Sequence, residues 1–183
     1  MGTAFSKNNW TLTVEGFYKN VEGINSANLG FRNQFQNAKA IGEYDVKGVE
    51  FSLGKKLKNF STWLSYTYTD SEQKSGEYKG EPLNQLPEHL ASLNVDWQAT
   101  DTVSPWATVR YRGEESQPTT GPSNSAIIAP SNTLVDAGIG FQLTPQTKLN
   151  TGIYNLADKE IFYEEYGYVE DGRRYWLGVV TNF

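Results

Sequence analysis

Apolar and polar residues alternate along this chain in runs of about ten, and the runs are joined by connections that are short and long in turn. Eight such runs are read: 10–21, 47–57, 60–69, 89–97, 105–112, 133–143, 148–155 and 175–183. In the first, Trp10, Leu12, Val14, Gly16 and Tyr18 fall on one face, and Thr11, Thr13, Glu15 and Lys19 on the other. In the fourth, Ala91, Leu93, Val95 and Trp97 oppose Ser92, Asn94 and Asp96. A period of two is the period of a strand with unlike faces. The connections 57–60, 97–105 and 143–148 are short. Those at 21–47, 69–89, 112–133 and 155–175 are long and carry the polar text rich in Gly, Pro and Ser. The predicted fold is all-β and antiparallel, one domain over 1–183.

A soluble β-sandwich alternates its faces too, but its loops need not alternate in length. Transmembrane barrels do this systematically, with short periplasmic turns and long extracellular loops, and a tilted strand of about ten residues crosses the bilayer. The reading is therefore an eight-stranded transmembrane barrel with both chain ends periplasmic. Lipid would cover the apolar set, and Glu15, Glu50, Asp96, Arg110 and Asp136 would point inward. Composition agrees: eleven tyrosines and five tryptophans supply residues that favour a lipid–water boundary. No run approaches the roughly 20 apolar residues of a membrane helix, and mean hydropathy is -0.56. A net charge of -5 without a basic stripe argues against a nucleic-acid partner. The absence of cysteine excludes a disulfide scaffold. Met1-Gly2-Thr3-Ala4 does not read as the start of a signal peptide.

Several stretches resemble the TonB-dependent receptors of the bacterial outer membrane. "WTLTVEGFYKNVEGI" and "FRNQFQNAKAIGEYDVKGVEFSLGKKL" look like their Asn-x-x-x-Ala segment and Gly-Val-Glu strand. "PLNQLPEHLASLNVDW" is similar to their Pro-x-His strand ending in Trp. "GIYNLADKEIFYEEYGYVEDGRRYWLGV" matches their Asn-Leu-x-Asp-Lys element and the Gly-Arg-x-Tyr element before the final strand. The wording from Tyr168 to Tyr175 is closest to the catecholate siderophore and colicin I receptor branch. The resemblance implies a barrel of about 22 strands filled by a plug. This chain would supply the last eight strands, possibly closed on themselves. No plug or TonB box is read here, so the expected TonB contact runs only through a plug this chain does not carry, and transport by this segment alone is not expected. The implied partners are outer-membrane lipid or detergent and, for the parent receptor, a ferric siderophore. Tyr175, Leu177, Val179 and Phe183 resemble the C-terminal signal read by the barrel-insertion machinery, with Thr181 where a further hydrophobe is usual. The alternative is a small eight-stranded barrel with a structural, adhesive or pore role.

The long connections supply the candidate ligand residues. Tyr163, Tyr166, Tyr168, Arg173 and Arg174 share the last one, with Phe162; Lys74, Tyr78, Lys79 and Arg112 lie in or beside earlier ones. Iron–catecholate complexes are anionic and aromatic, which suits Arg and Tyr through charge-assisted hydrogen bonds and stacking. An aromatic girdle with snorkelling arginines would use the same residues. The one histidine, His89, reads as structural. Asp70, Glu72 and Asn84 are a weak calcium pattern, and no metal or cofactor is assigned to this chain. Glu164-Glu165 and Glu170-Asp171 read as solvated loop charges. No G-x-S-x-G, P-loop or H-E-x-x-H occurs, so no enzyme is expected. Lys55, Lys56 and Lys58 read as a turn, with contact to anionic lipid as the functional alternative.

Overall fold

The computed structural model describes residues 1–22, 42–76, 79–117, 127–162, 166 and 168–182. Nine strands form one sheet. They are β1 (Gly2–Lys7), β2 (Trp10–Glu22), β3 (Glu43–Lys56), β4 (Phe60–Gln73), β5 (His89–Trp97), β6 (Val103–Arg112), β9 (Asn132–Gln142), β10 (Thr147–Tyr154) and β11 (Arg174–Thr181). They follow one another in chain order, each antiparallel to its neighbour. Between β6 and β9, β7 (Glu115–Gln117) and β8 (Ile127–Ala129) form a separate two-stranded ribbon. No helix of the described residues is long and apolar enough to cross a membrane.

The count of eight strands is corrected by β1, which was not expected. Asn8 and Asn9 both take positive φ, 50° and 65°, and close a two-residue hairpin. Such turns need two left-handed residues, which asparagine tolerates. Closure is not made either: β1 and β11 are the two outer edges of the sheet and do not pair with each other. The final strand ends at the short-turn rim, where Thr181 faces Thr147 and the Asn182 amide donates to Gln146 O at 3.0 Å. Met1, by contrast, lies halfway up β2, its carbonyl accepting from the Gly16 amide at 2.9 Å. β1 thus adds a strand ahead of the first one read from the sequence, and Met1 sits beside Gly16 rather than at the short-turn rim.

Register sorts the side chains into two faces. Leu12, Leu53, Leu64, Leu93, Val109 and Val135 form one continuous row across six strands. The row beside it runs Thr13, Ser52, Ser65, Ser92, Arg110 and Leu134 on the other face. These are the two sets that the alternation separates. On the apolar face, Trp10, Phe60 and Trp97 mark the short-turn rim, and Tyr18, Tyr66, Tyr68 and Tyr111 the other limit. From Trp10 to Tyr18 the strand is about 26 Å long at roughly 3.3 Å per residue, which at the usual tilt of barrel strands rises about 20 Å, most of the apolar band of about 25 Å on barrels in a membrane. Above Tyr18 the same face turns polar. Asp45 accepts from Asn20 Nδ2 at 2.8 Å and Tyr18 Oη at 3.1 Å, and Lys47 pairs with Asp70 at 3.0 Å. β3 and β4 continue into this polar zone, which is why they run longer than 47–57 and 60–69.

Among the described residues, nothing packs over the apolar face. Substantial strand contacts run only between hydrogen-bonded neighbours. Leu177 and Val179 stay 70% and 62% exposed, and Trp10 43%. The described residues bury just four apolar side chains, Ala129, Leu134, Ile161 and Tyr166, all at the long-loop end. A sandwich would mesh a second layer here, and the described residues supply none.

The polar face carries its own packing rule. Phe17, Trp63, Trp106 and Trp176 are the cross-strand partners of Gly48, Gly54, Gly138 and Gly152. Each ring lies flat over its glycine: a Cβ on Gly138 would come 2.6 Å from the Trp106 ring, and one on Gly54 2.4 Å from that of Trp63. Trp106, Tyr154 and Trp176 then group at ring separations of 6.2–6.4 Å. Gly138→Val should displace Trp106 and cost about 1–3 kcal/mol of overpacking. A lowered urea midpoint of the detergent-refolded chain, followed by heat-modifiable gel migration, checks this. Ser61→Ala, on the same face, should leave the midpoint nearly unchanged.

Candidate functional site

β6 sets Arg110 and Arg112 two residues apart on the polar face, so both point to one side. β9 places Asp136, Leu134 and Asn132 beside them. Arg110 Nη2 donates to Asp136 Oδ2 at 3.0 Å, and the other oxygen of Asp136 accepts from the Asn155 amide at 2.8 Å. Asp136 is only 4% exposed. A buried carboxylate needs such partners, because its hydration is lost. Arg112 pairs with Glu115 and also donates to Gln85 O at 3.3 Å. Across β4 and β5, the hydroxyls of Ser65 and Ser92 share a hydrogen bond of 2.7 Å.

The last long connection reaches over this surface because Asn155 pins it. Asn155 adopts φ 51° and is buried. Its Nδ2 donates to Lys159 O at 2.8 Å and Asp171 O at 3.4 Å, while its Oδ1 accepts from the Lys159 amide at 2.9 Å. Asp158 Oδ1 accepts from the Arg173 amide at 2.7 Å. The Asn-Leu-x-Asp-Lys element is thus a clasp that ties both ends of the connection together above β9. Ile161 bridges to Glu170 and is 2% exposed. Tyr168 then sits beside β9, its hydroxyl accepting from Asn132 Nδ2 at 3.0 Å and its ring 5.6 Å from the Arg112 guanidinium.

These groups border an open cavity of about 730 Å³ on the polar face, lined by Arg110, Arg112, Ser65, Thr67, Ser92, Asn132, Tyr168 and Glu170 among others. Cationic, hydroxyl and aromatic groups meet there, as binding of an anionic aromatic molecule requires.

The predicted ligand residues divide. Arg112 and Tyr168 come together at the cavity. Tyr166 is only 4% exposed and packs with Leu134 and Ile161, so it is a core residue. Arg173 donates through Nε to Leu156 O at 3.1 Å, as part of the clasp. Arg174 pairs with Asp171 at 3.1 Å and lies 5.4 Å from the Tyr154 ring. Lys74 joins the network above the apolar face, pairing with Glu72 at 2.6 Å and Asp45 at 3.6 Å. Its hydrogen bond to Glu72 holds its ammonium above the ordinary lysine value. Tyr78, Tyr163 and Phe183 lie outside the described residues. Tyr175, Leu177 and Val179 project from the apolar face of β11. Asp70 and Glu72 are engaged by lysines. His89 Nδ1 bonds with Tyr66 Oη at 2.9 Å, a girdle contact. Sequence reading placed Arg110 and Asp136 inward but did not assign them to the site; their pairing depends on the β6–β9 register, which period alone does not supply.

The family model for TonB dependent receptor-like β-barrels matches residues 2–156. The chain belongs to this family. The iron-regulated outer membrane virulence protein of Vibrio cholerae is 49% identical over 144 residues, covering 78% of this chain and 22% of that protein. The ferric enterobactin receptor PirA of Pseudomonas aeruginosa is 23% identical over 201 residues, covering 100% of this chain and 27% of that protein. In fold, the chain is similar to the ferric-catecholate import receptor Fiu of Escherichia coli, with a TM-score of 0.78 at 23% identity over 100% of this chain and 27% of Fiu. The siderophore receptor PirA of Acinetobacter baumannii gives 0.78 at 18% identity, over 100% of this chain and 31% of that one. The chain spans about a quarter of the length of the curated relatives it matches. By their names, the first of these relatives is an outer membrane protein and the others are receptors.

Asn155→Ala should release the clasp at a cost of about 1–3 kcal/mol for its unmade hydrogen bonds. Limited proteolysis should then cut the last connection faster than in the parent chain, while the sheet stays intact.

Proposed function

We propose that this chain is the C-terminal barrel portion of an outer-membrane siderophore receptor, and that its long-loop cavity forms part of the binding site for a ferric catecholate. The short turns face the periplasm and the long connections face the outside. The final strand carries the insertion signal in Tyr175, Leu177 and Val179, with Phe183 following. Energy coupling to TonB runs through the receptor's plug, which occupies the lumen against the polar face.

The observation that carries this reading is the one-sided sheet. Its apolar face suits hydrocarbon, and its other face places Arg110 and Arg112 beneath Tyr168 of the last connection, around a cavity at the long-loop end. The names of the relatives supply the ligand class: an iron-regulated outer-membrane protein and receptors for ferric enterobactin and ferric catecholate. A ferric tris-catecholate is anionic and presents aromatic faces and edges. Arg112 supplies charge-assisted donors and Tyr168 a ring for stacking.

Titration of a ferric catecholate into the intact receptor carrying this chain should quench aromatic fluorescence saturably. Arg112→Ala should weaken binding about tenfold or more, the scale of one charge-assisted hydrogen bond. Tyr168→Ala should weaken it several-fold. Saturable quenching that both variants leave unchanged places the ligand elsewhere and removes the cavity assignment.

A further inference from the structure

Charge is not spread evenly along the strands. Among the described residues, the short-turn rim holds Lys7, Lys55, Lys56, Lys58 and Lys148 against Asp96 and Asp101. None of the five lysines takes part in an ion pair there. At the opposite rim the cations are largely matched, as in Lys47–Asp70, Lys74–Glu72, Arg112–Glu115 and Arg174–Asp171.

Register divides the rim lysines between the faces. Lys7, Trp10 and Lys55 are successive cross-strand partners on the apolar face, so Trp10 is bracketed by two ammonium-bearing side chains. Lys55 Nζ lies 4.4 Å from the Trp10 ring centroid and donates to Asn8 O at 3.2 Å. Leu57 and Trp97, 47% and 48% exposed, continue the apolar edge beside the lysine-bearing turn. Lys56 and Lys148 stand on the polar face instead, opposite Ser61 and Val180.

Unmatched cations bordering an apolar band, with an indole between them, are complementary to a lipid whose phosphate is anionic and whose chains run on along Leu12 and Leu53. We infer that Lys7, Trp10 and Lys55 form a headgroup site for an anionic glycerophospholipid of the leaflet that surrounds the short turns. The ammonium groups hold the headgroup phosphate, and the indole seats the glycerol region. The inference rests on the membrane reading proposed above.

The test uses the full chain reconstituted in phosphatidylcholine vesicles that carry brominated phosphatidylglycerol or brominated phosphatidylcholine. Bromine quenches tryptophan on contact, so the ratio of the two quenching strengths gives the relative affinity. Phosphatidylglycerol should be favoured about tenfold at low salt. The K7Q/K55Q double variant should bring the ratio close to one, and K56Q/K148Q should leave it unchanged. Heat-modifiable migration should be the same for all three chains. A ratio of one in the unaltered chain overturns the site. So does a preference that survives K7Q/K55Q, or equal loss in both double variants. If K7Q/K55Q alters migration but not the ratio, Lys55 is only a clamp on the Asn8–Asn9 turn and the site is again overturned. Absence of quenching by either brominated lipid is a different result, because it removes the membrane reading itself.

Discussion

A strand that crosses hydrocarbon has no water to satisfy its amides and carbonyls, so each must find a neighbouring strand. That requirement, joined to an apolar face with no second protein layer, organises everything else in this chain. The described sheet is one layer thick, and its backbone contacts run chiefly between hydrogen-bonded neighbours. Among the described residues, four buried apolar side chains at one end of the sheet do not make a core that spans it. The row from Leu12 to Val135 needs an apolar solvent, and the edges β1 and β11 need partner strands.

The polar face solves a different problem. A lumen lined by rings and charges must let the sheet curve while filling space. Facing each of four aromatic residues with a glycine on the next strand lets the rings lie down on the backbone. Higher up, Asp136 fixes Arg110 and the Asn155 amide, and Asn155 then fixes the last connection. Architecture and candidate site are therefore coupled. The carboxylate that anchors the loop clasp also holds one of the two arginines that line the cavity.

Much of this was legible in the sequence because a period of two needs no tertiary information. The assignment of side chains to faces, the alternation of connections and the turns at 57–60 and 143–148 all follow from it. β1 was not legible by that route: its short stretch lacks a clear alternation, and only the Asn8–Asn9 pair signals the hairpin. The ends of β3 and β4 were missed because they pair above the apolar band, where polar side chains hide the pattern. In the site, residue type pointed to Arg112 and Tyr168. It could not separate them from Tyr166, which turns into the small core, or from Arg173 and Arg174, which belong to the loop clasp and its surroundings. Those distinctions are set by the fold of a connection with no period to read.

The chain contains no cysteine, so single nitroxide labels can be placed at each position from 90 to 96 in turn and the protein reconstituted in bilayers. Collision with oxygen, which concentrates in lipid, should be high at 91, 93 and 95. Collision with a water-soluble nickel chelate should be high at 90, 92, 94 and 96. Equal access of the chelate to both sets would contradict a lipid-covered face, and with it the account of this chain as part of a membrane barrel.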